Sequence, residues 1–107
     1  MSDKTIEIAR DFSKFPAGRY RSDGPYSGEV FRKDFLEPAI ENYDQVNIKI
    51  DNVSSFGSSF LEEAFGGLIR DGYTKEFLSK KLNIQAETPI YMSFKREIEG
   101  YLRNGGQ

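Results

Sequence analysis

The residues with the most chemistry to offer are hydroxyls crowded into one short run, Ser54-Ser55-Phe56-Gly57-Ser58-Ser59. A serine hydroxyl can accept a phosphoryl group, cap a helix, or act as a nucleophile when a neighbouring base activates it. The chain has no histidine and no cysteine. That excludes imidazole general bases, thiol nucleophiles, disulfides and zinc sites built on those ligands. Carboxylates follow the serines at Glu62 and Glu63. Adjacent residues on a helix point about 100° apart, so these two do not form an acid–base pair. No arrangement of Ser, Lys and carboxylates has hydrolase spacing, and no cofactor site is legible. The expectation is a protein that is not an enzyme.

Elements of two different periods must position the serines. Val46, Ile48 and Ile50 alternate with Asn47, Lys49 and Asp51, the pattern of a strand with one buried face. Phe60, Leu61, Ala64, Phe65, Leu68 and Ile69 then fall at helical spacing. The serine run therefore joins a strand to a helix N-terminus, where the first amides are unpaired and the dipole is positive. Ser59 and Glu62 have capping-box spacing, which predicts a helix starting at Ser59 and running to about Arg70, ended by Gly72.

Around this centre the chain predicts a strand over Thr5–Ala9 and a turn-rich tract, Asp11 to Ser27, with a hairpin from Ile6 to Arg21. A helix capped by Ser27 should follow to about Asn42, kinked or broken near Glu37 by Pro38. A short helix capped by Thr74 runs through Lys80, with Phe77 and Leu78 inward. A strand spans Leu82 to Ala86, and a last helix begins at Thr88-Pro89 and ends before Asn104-Gly105. This order predicts one domain of the α/β class: a small, mixed or mostly parallel sheet with right-handed crossovers. The clean alternation in the central strand leaves one sheet face polar, so the helices should pack mainly on the other.

Composition sets the remaining bounds. A chain of 107 residues forms a single core, and Phe31, Phe35, Phe60, Phe65, Phe77, Phe94 and Tyr101 are expected to fill it. With 15 basic and 17 acidic residues, the charge balance argues against a dedicated nucleic-acid binder. No apolar run is long enough for a membrane span, and MSDKTIEIAR lacks the apolar core of a signal peptide, so the expected compartment is the cytoplasm. Arg19, Arg21 and Lys14 share the turn-rich tract and could hold an anion or nucleotide against the helix start at Ser58, which gives a second, ligand-sensing reading. Gly66-Gly67 inside a helix points to a close neighbour. The terminal Gly105-Gly106-Gln107 matches the tripeptide of release factors in letters alone.

Strand, serine loop and helix in this order resemble the STAS domains of bacterial anti-sigma-factor antagonists. Their Asp-Ser-Ser/Thr-Gly turn follows a central strand and is phosphorylated on its first serine. Aligned without gaps, Ser58 takes the phosphorylated position, with Gly57 in place of the aspartate and Phe60 in place of the glycine. The chain is more similar to a bacterial STAS-like family of unknown function. That likeness lies in Gly18-Arg19-Tyr20, in Asp23-Gly24-Pro25-Tyr26-Ser27-Gly28-Glu29, and in Ser58-Ser59-Phe60 through Phe65-Gly66. The resemblance implies a regulatory interaction module phosphorylated at Ser58 or Ser59. Its partner would be a serine kinase with a histidine-kinase-like ATPase fold. Asn52, Ser54, Ser55, Gly57, Glu62 and Glu63 would line the contact.

Overall fold

Ile6, Ile48 and Ile84 stand side by side on three strands and form the floor of the core. The computed structural model, which describes residues 2–104, places β1 (Asp3–Glu7), β2 (Gln45–Lys49) and β3 (Leu82–Gln85) in one parallel sheet in the order β1-β2-β3. The register is continuous across all three strands. Ile6, Ile48 and Ile84 align on one face, and Thr5, Asn47 and Asn83 align on the other.

Helix α1 covers residues 28–42. It is α-helical at Gly28–Phe31 and Glu37–Asn42, with a wide turn, Arg32–Leu36, between them. The break expected at Pro38 is taken up by that turn. Glu37 N–H reaches back five residues to the Arg32 carbonyl, and the helix continues past a proline that has no N–H to give. Helix α2 covers residues 58–70 and likewise holds a wide turn, Glu62–Gly66. Gly72, at φ +108°, ends it: its N–H bonds the Ile69 carbonyl, and Tyr73 N–H bonds that of Leu68. Helices α3 (Lys75–Lys81) and α4 (Pro89–Asn104) complete the layer.

The helices cover the isoleucine face, where Phe31, Phe60, Phe65, Leu61, Leu68, Leu78 and Ile98 are buried. On the opposite face Thr5 and Asn83 are exposed, with Asn47, Lys49 and Gln85 half-buried, as the strand alternation predicts.

Two expectations need correction. No hairpin links Ile6 to Arg21, because β1 gives its backbone bonds to β2 in a five-residue parallel register. The Arg19-Tyr20 segment instead folds onto the start of α1, and Arg21 opens a short 3₁₀ turn, Arg21–Asp23. Phe77 lies 42% exposed, stacked on Tyr73, while Leu78 alone of that pair points inward. The wide turns of α1 and α2, together with a third over Ile8–Phe12, were not predicted. The Gly105-Gly106-Gln107 tail lies outside the described residues.

Candidate functional site

The serine loop stands at the C-terminal end of β2 and is fixed from both sides. Asn52 adopts φ +72°, a left-handed conformation that asparagine tolerates better than most residues. This turns the chain out of the sheet and lets Val53 bury its side chain. The Val53 carbonyl accepts a bond of 2.7 Å from the Tyr91 hydroxyl on α4, and Ser54 N–H donates to the Lys14 carbonyl at 2.8 Å. The Asp51 carboxylate accepts from Glu87 N–H at 2.9 Å and Thr88 N–H at 2.9 Å. Burial alone would raise the Asp51 pKa, but those backbone donors outweigh it and hold the group below the usual aspartate range. Phe56 closes the loop over Phe60 and Phe94, with ring centroids 6.2 and 5.2 Å away.

Asn52, Ser54, Ser55, Gly57, Ser58 and Ser59 are all exposed on this anchored loop. The helix begins at Ser58, one residue before the predicted start, with Gly57 as its N-cap. No side chain caps it, so the expected Ser59–Glu62 capping box does not form. The two helix starts contrast. At α1 the Ser27 hydroxyl accepts from Val30 N–H, while the Gly18 and Arg19 carbonyls accept from Gly28 and Glu29 N–H. At α2 the first amides receive no such partner among the described residues. Two hydroxyls and free amides thus face outward at one helix end. Phe15, 66% exposed, and Ile90, 67% exposed, are neighbours in sequence of Lys14 and Tyr91, which bond the loop.

Glu62 turns away from the helix start toward arginines. It bonds Arg70 at 2.6 Å and Arg19 at 2.5 Å, and first the Arg70 bond, then that of Arg19, holds its pKa below the glutamate range despite burial. Glu63 is buried and meets Arg32 at 2.8 Å, Arg70 at 3.1 Å and Arg19 at 3.2 Å. Glu63 therefore cannot line an exposed docking face. It is a structural residue between α1 and α2, and Glu62 is half-buried beside it, paired with Arg19 and Arg70.

Arg19 and Arg21 part company. Arg19 lies about one turn of α2 from Ser58 through its Glu62 pair. Arg21 makes two bonds to Asp34, of 2.6 and 3.1 Å, on α1. The two guanidiniums do not converge, and each already faces carboxylates, so they form no shared anion cradle.

The buried cation Arg32 was not anticipated. It inserts between the helices, bonding the Glu63 carboxylate and carbonyl and Asp71 at 3.0 Å. Gly67 leaves the space, since a Cβ there would strike the guanidinium. Gly28 does the same for the backbones: a Cβ would lie 2.6 Å from the Phe60 carbonyl oxygen. The Gly66-Gly67 pair signalled this approach, but a cation as the neighbour has no signature in one sequence. Glu37 and Asp71 share the cluster with Lys33. Burial, then the neighbouring Asp71, pushes Glu37 up. In Asp71 burial is overcome by the Glu37 hydrogen bond and by Lys33 and Arg32, which hold its pKa at about 2.

A family model described as a STAS-like domain of unknown function (DUF4325) matches residues 27–92. This match contains α1, β2, the serine loop, α2, α3 and β3, and it begins after the Gly18–Pro25 tract. No curated protein and no solved structure matches the chain.

Proposed function

This chain belongs to the family of STAS-like domains of unknown function, and on that premise we propose that it is a non-enzymatic regulatory module that binds a protein partner through the serine loop and the start of α2. Phosphorylation of Ser58, or of its neighbour Ser59, switches the contact. The observation that carries this reading is the exposure of both hydroxyls at an uncapped helix start. Helix capping, the ordinary reason for serine at such a place, does not account for either residue. A phosphoryl group there would add about two negative charges beside free amides. Glu62 and Glu63 would oppose it less than their sequence positions suggest, because Arg19, Arg32 and Arg70 already match their charge. A desolvated contact would weaken or reorganise on receiving that charge.

The partner that fits is a serine kinase with a histidine-kinase-like ATPase fold, or a protein it controls, docking on the serine loop between Phe15 and Ile90. Apolar side chains this exposed beside a rigid polar loop are the composition of a contact surface. The test is intact mass with phosphosite mapping on protein isolated from its native host in normal and stressed growth. A phosphate at Ser58 or Ser59 is the expected result. Unmodified serines in every condition would remove the switch.

A further inference from the structure

Charge is spread unevenly along the chain. Residues 1–71 carry nine basic and thirteen acidic side chains, a balance of −4, whereas residues 72–107 carry six and four, a balance of +2. Arg10, Arg19, Arg21, Arg32, Lys33 and Arg70, the cations of the first part that pair with carboxylates, have no counterpart at Lys75 on α3 or Arg103 on α4. Neither of these two meets a carboxylate within ion-pair distance among the described residues. Both line one open cleft of about 440 Å³. Its floor is the buried Leu78, Leu82 and Ile84, and the half-buried Leu102 forms a wall. Glu99 is the single carboxylate lining the cleft and pairs with neither cation, which leaves a surplus of one positive charge. A groove of about 490 Å³ beside β1 differs: Arg10 and Arg21 match its Asp11 and Asp34, and its Lys4 lies 5.9 Å over the Tyr43 ring.

We infer that the cleft between α3 and α4 binds a small carboxylate with an apolar body, its charge held between Lys75 and Arg103 and its body laid along Leu102. Charge selects this class. A surplus of one positive charge matches a monoanion, and a guanidinium donates two parallel bonds to a carboxylate. The walls agree, because a few polar groups over apolar side chains are the make-up of a small-molecule site. The aliphatic stems of Lys75 and Arg103 extend the apolar lining while their charged ends stay at the mouth. A long polyanion does not fit, since the −4 balance of residues 1–71 would repel the part that overhangs the cleft. No residue of the serine loop lines this cleft, so the site is separate from the proposed partner contact.

Titration of the isotope-labelled chain with octanoate, followed by amide NMR shifts, tests the site, with octanol as the uncharged probe of equal length. Saturable shifts at Lys75, Ser79, Leu102 and Arg103 are expected with octanoate, and octanol should bind about tenfold more weakly or worse. Arg103 is exposed, so Arg103→Glu can be made without opening the core. It should weaken octanoate about tenfold or more, with circular dichroism showing that the variant folds. Glu99→Gln removes the competing carboxylate and should tighten octanoate about threefold, a gain that a folding defect cannot produce. Octanoate that never saturates, shifts that saturate elsewhere in the chain, equal affinity for octanol, or a Glu99→Gln variant that binds no better overturns the proposal.

Discussion

At the scale of the residue, some side chains have surroundings that give them little structural work to do, and others have a great deal. Ser58 and Ser59 are in the first group. Replacing either with alanine should leave the melting temperature within about 1 °C, since no cap is lost and exposed substitutions are near neutral. Phe15 and Ile90 behave alike: Phe15→Ser and Ile90→Ser should spare stability, as judged by urea unfolding, while lowering affinity for the partner. Asn52 is in the second group. Its left-handed backbone disfavours branched side chains, so Asn52→Val should cost about 1–2 kcal/mol in the same assay, whereas Asn52→Gly should be close to neutral. Asp71 adds a dependence on pH. Its pKa in the folded chain is about 2, against about 3.9 unfolded. The stability it supplies is therefore complete above about pH 4 and lost as pH falls toward 2, in all roughly 2 kcal/mol. Glu37 works in the opposite sense. Its raised pKa favours the folded chain while the group is protonated, and that contribution is lost as pH rises through the raised value. Glu37→Gln keeps a donor for Asp71 and should remove the loss, which unfolding curves at a series of pH values will show.

At the scale of the element, α1 and α2 are held together by a close approach and a buried cation. Gly28→Ala would drive a methyl group into the Phe60 carbonyl and the Glu63 side chain, neither of which can swing aside, and should destabilise by about 2 kcal/mol. Much of this layer was legible in advance. The alternation in Val46, Ile48 and Ile50 revealed the central strand and its polar reverse face, and Ser27 and Thr74 cap the helices where their types and spacings indicated. Other features were not readable, for physical reasons. Ser59 and Glu62 have the spacing of a capping box, but Arg19, distant in sequence, and Arg70, eight residues on in the same helix, offer Glu62 stronger charge-assisted partners than a backbone amide. Pro38 signalled a break, yet a wide turn absorbs the missing N–H without ending the helix. The alternation around Ile6 showed a strand but not its partner, because strand pairing depends on contacts with no local signature. Phe77 looked like core, and Tyr73 stacks on it at the surface instead.

At the scale of the molecule, all strands run the same way, and β2 delivers the serine loop to one end, where Lys14 and the segment from Glu87 to Tyr91 pin it. The side chains exposed at that end lie outside the buried core, so a contact made there would leave the core undisturbed. Glu62 and Glu63, expected from the sequence to line a contact, instead pair with arginines and brace the scaffold. Gly57 offers the most direct test of the central claim. A side chain built there meets no atom within 4 Å, so a photoreactive residue can replace it in the native host without disturbing the loop. The expected result is a discrete crosslinked protein adduct that is strongly reduced when Ser58→Asp is added to mimic the phosphate. An absent adduct, or one whose yield is unchanged by Ser58→Asp, would contradict it.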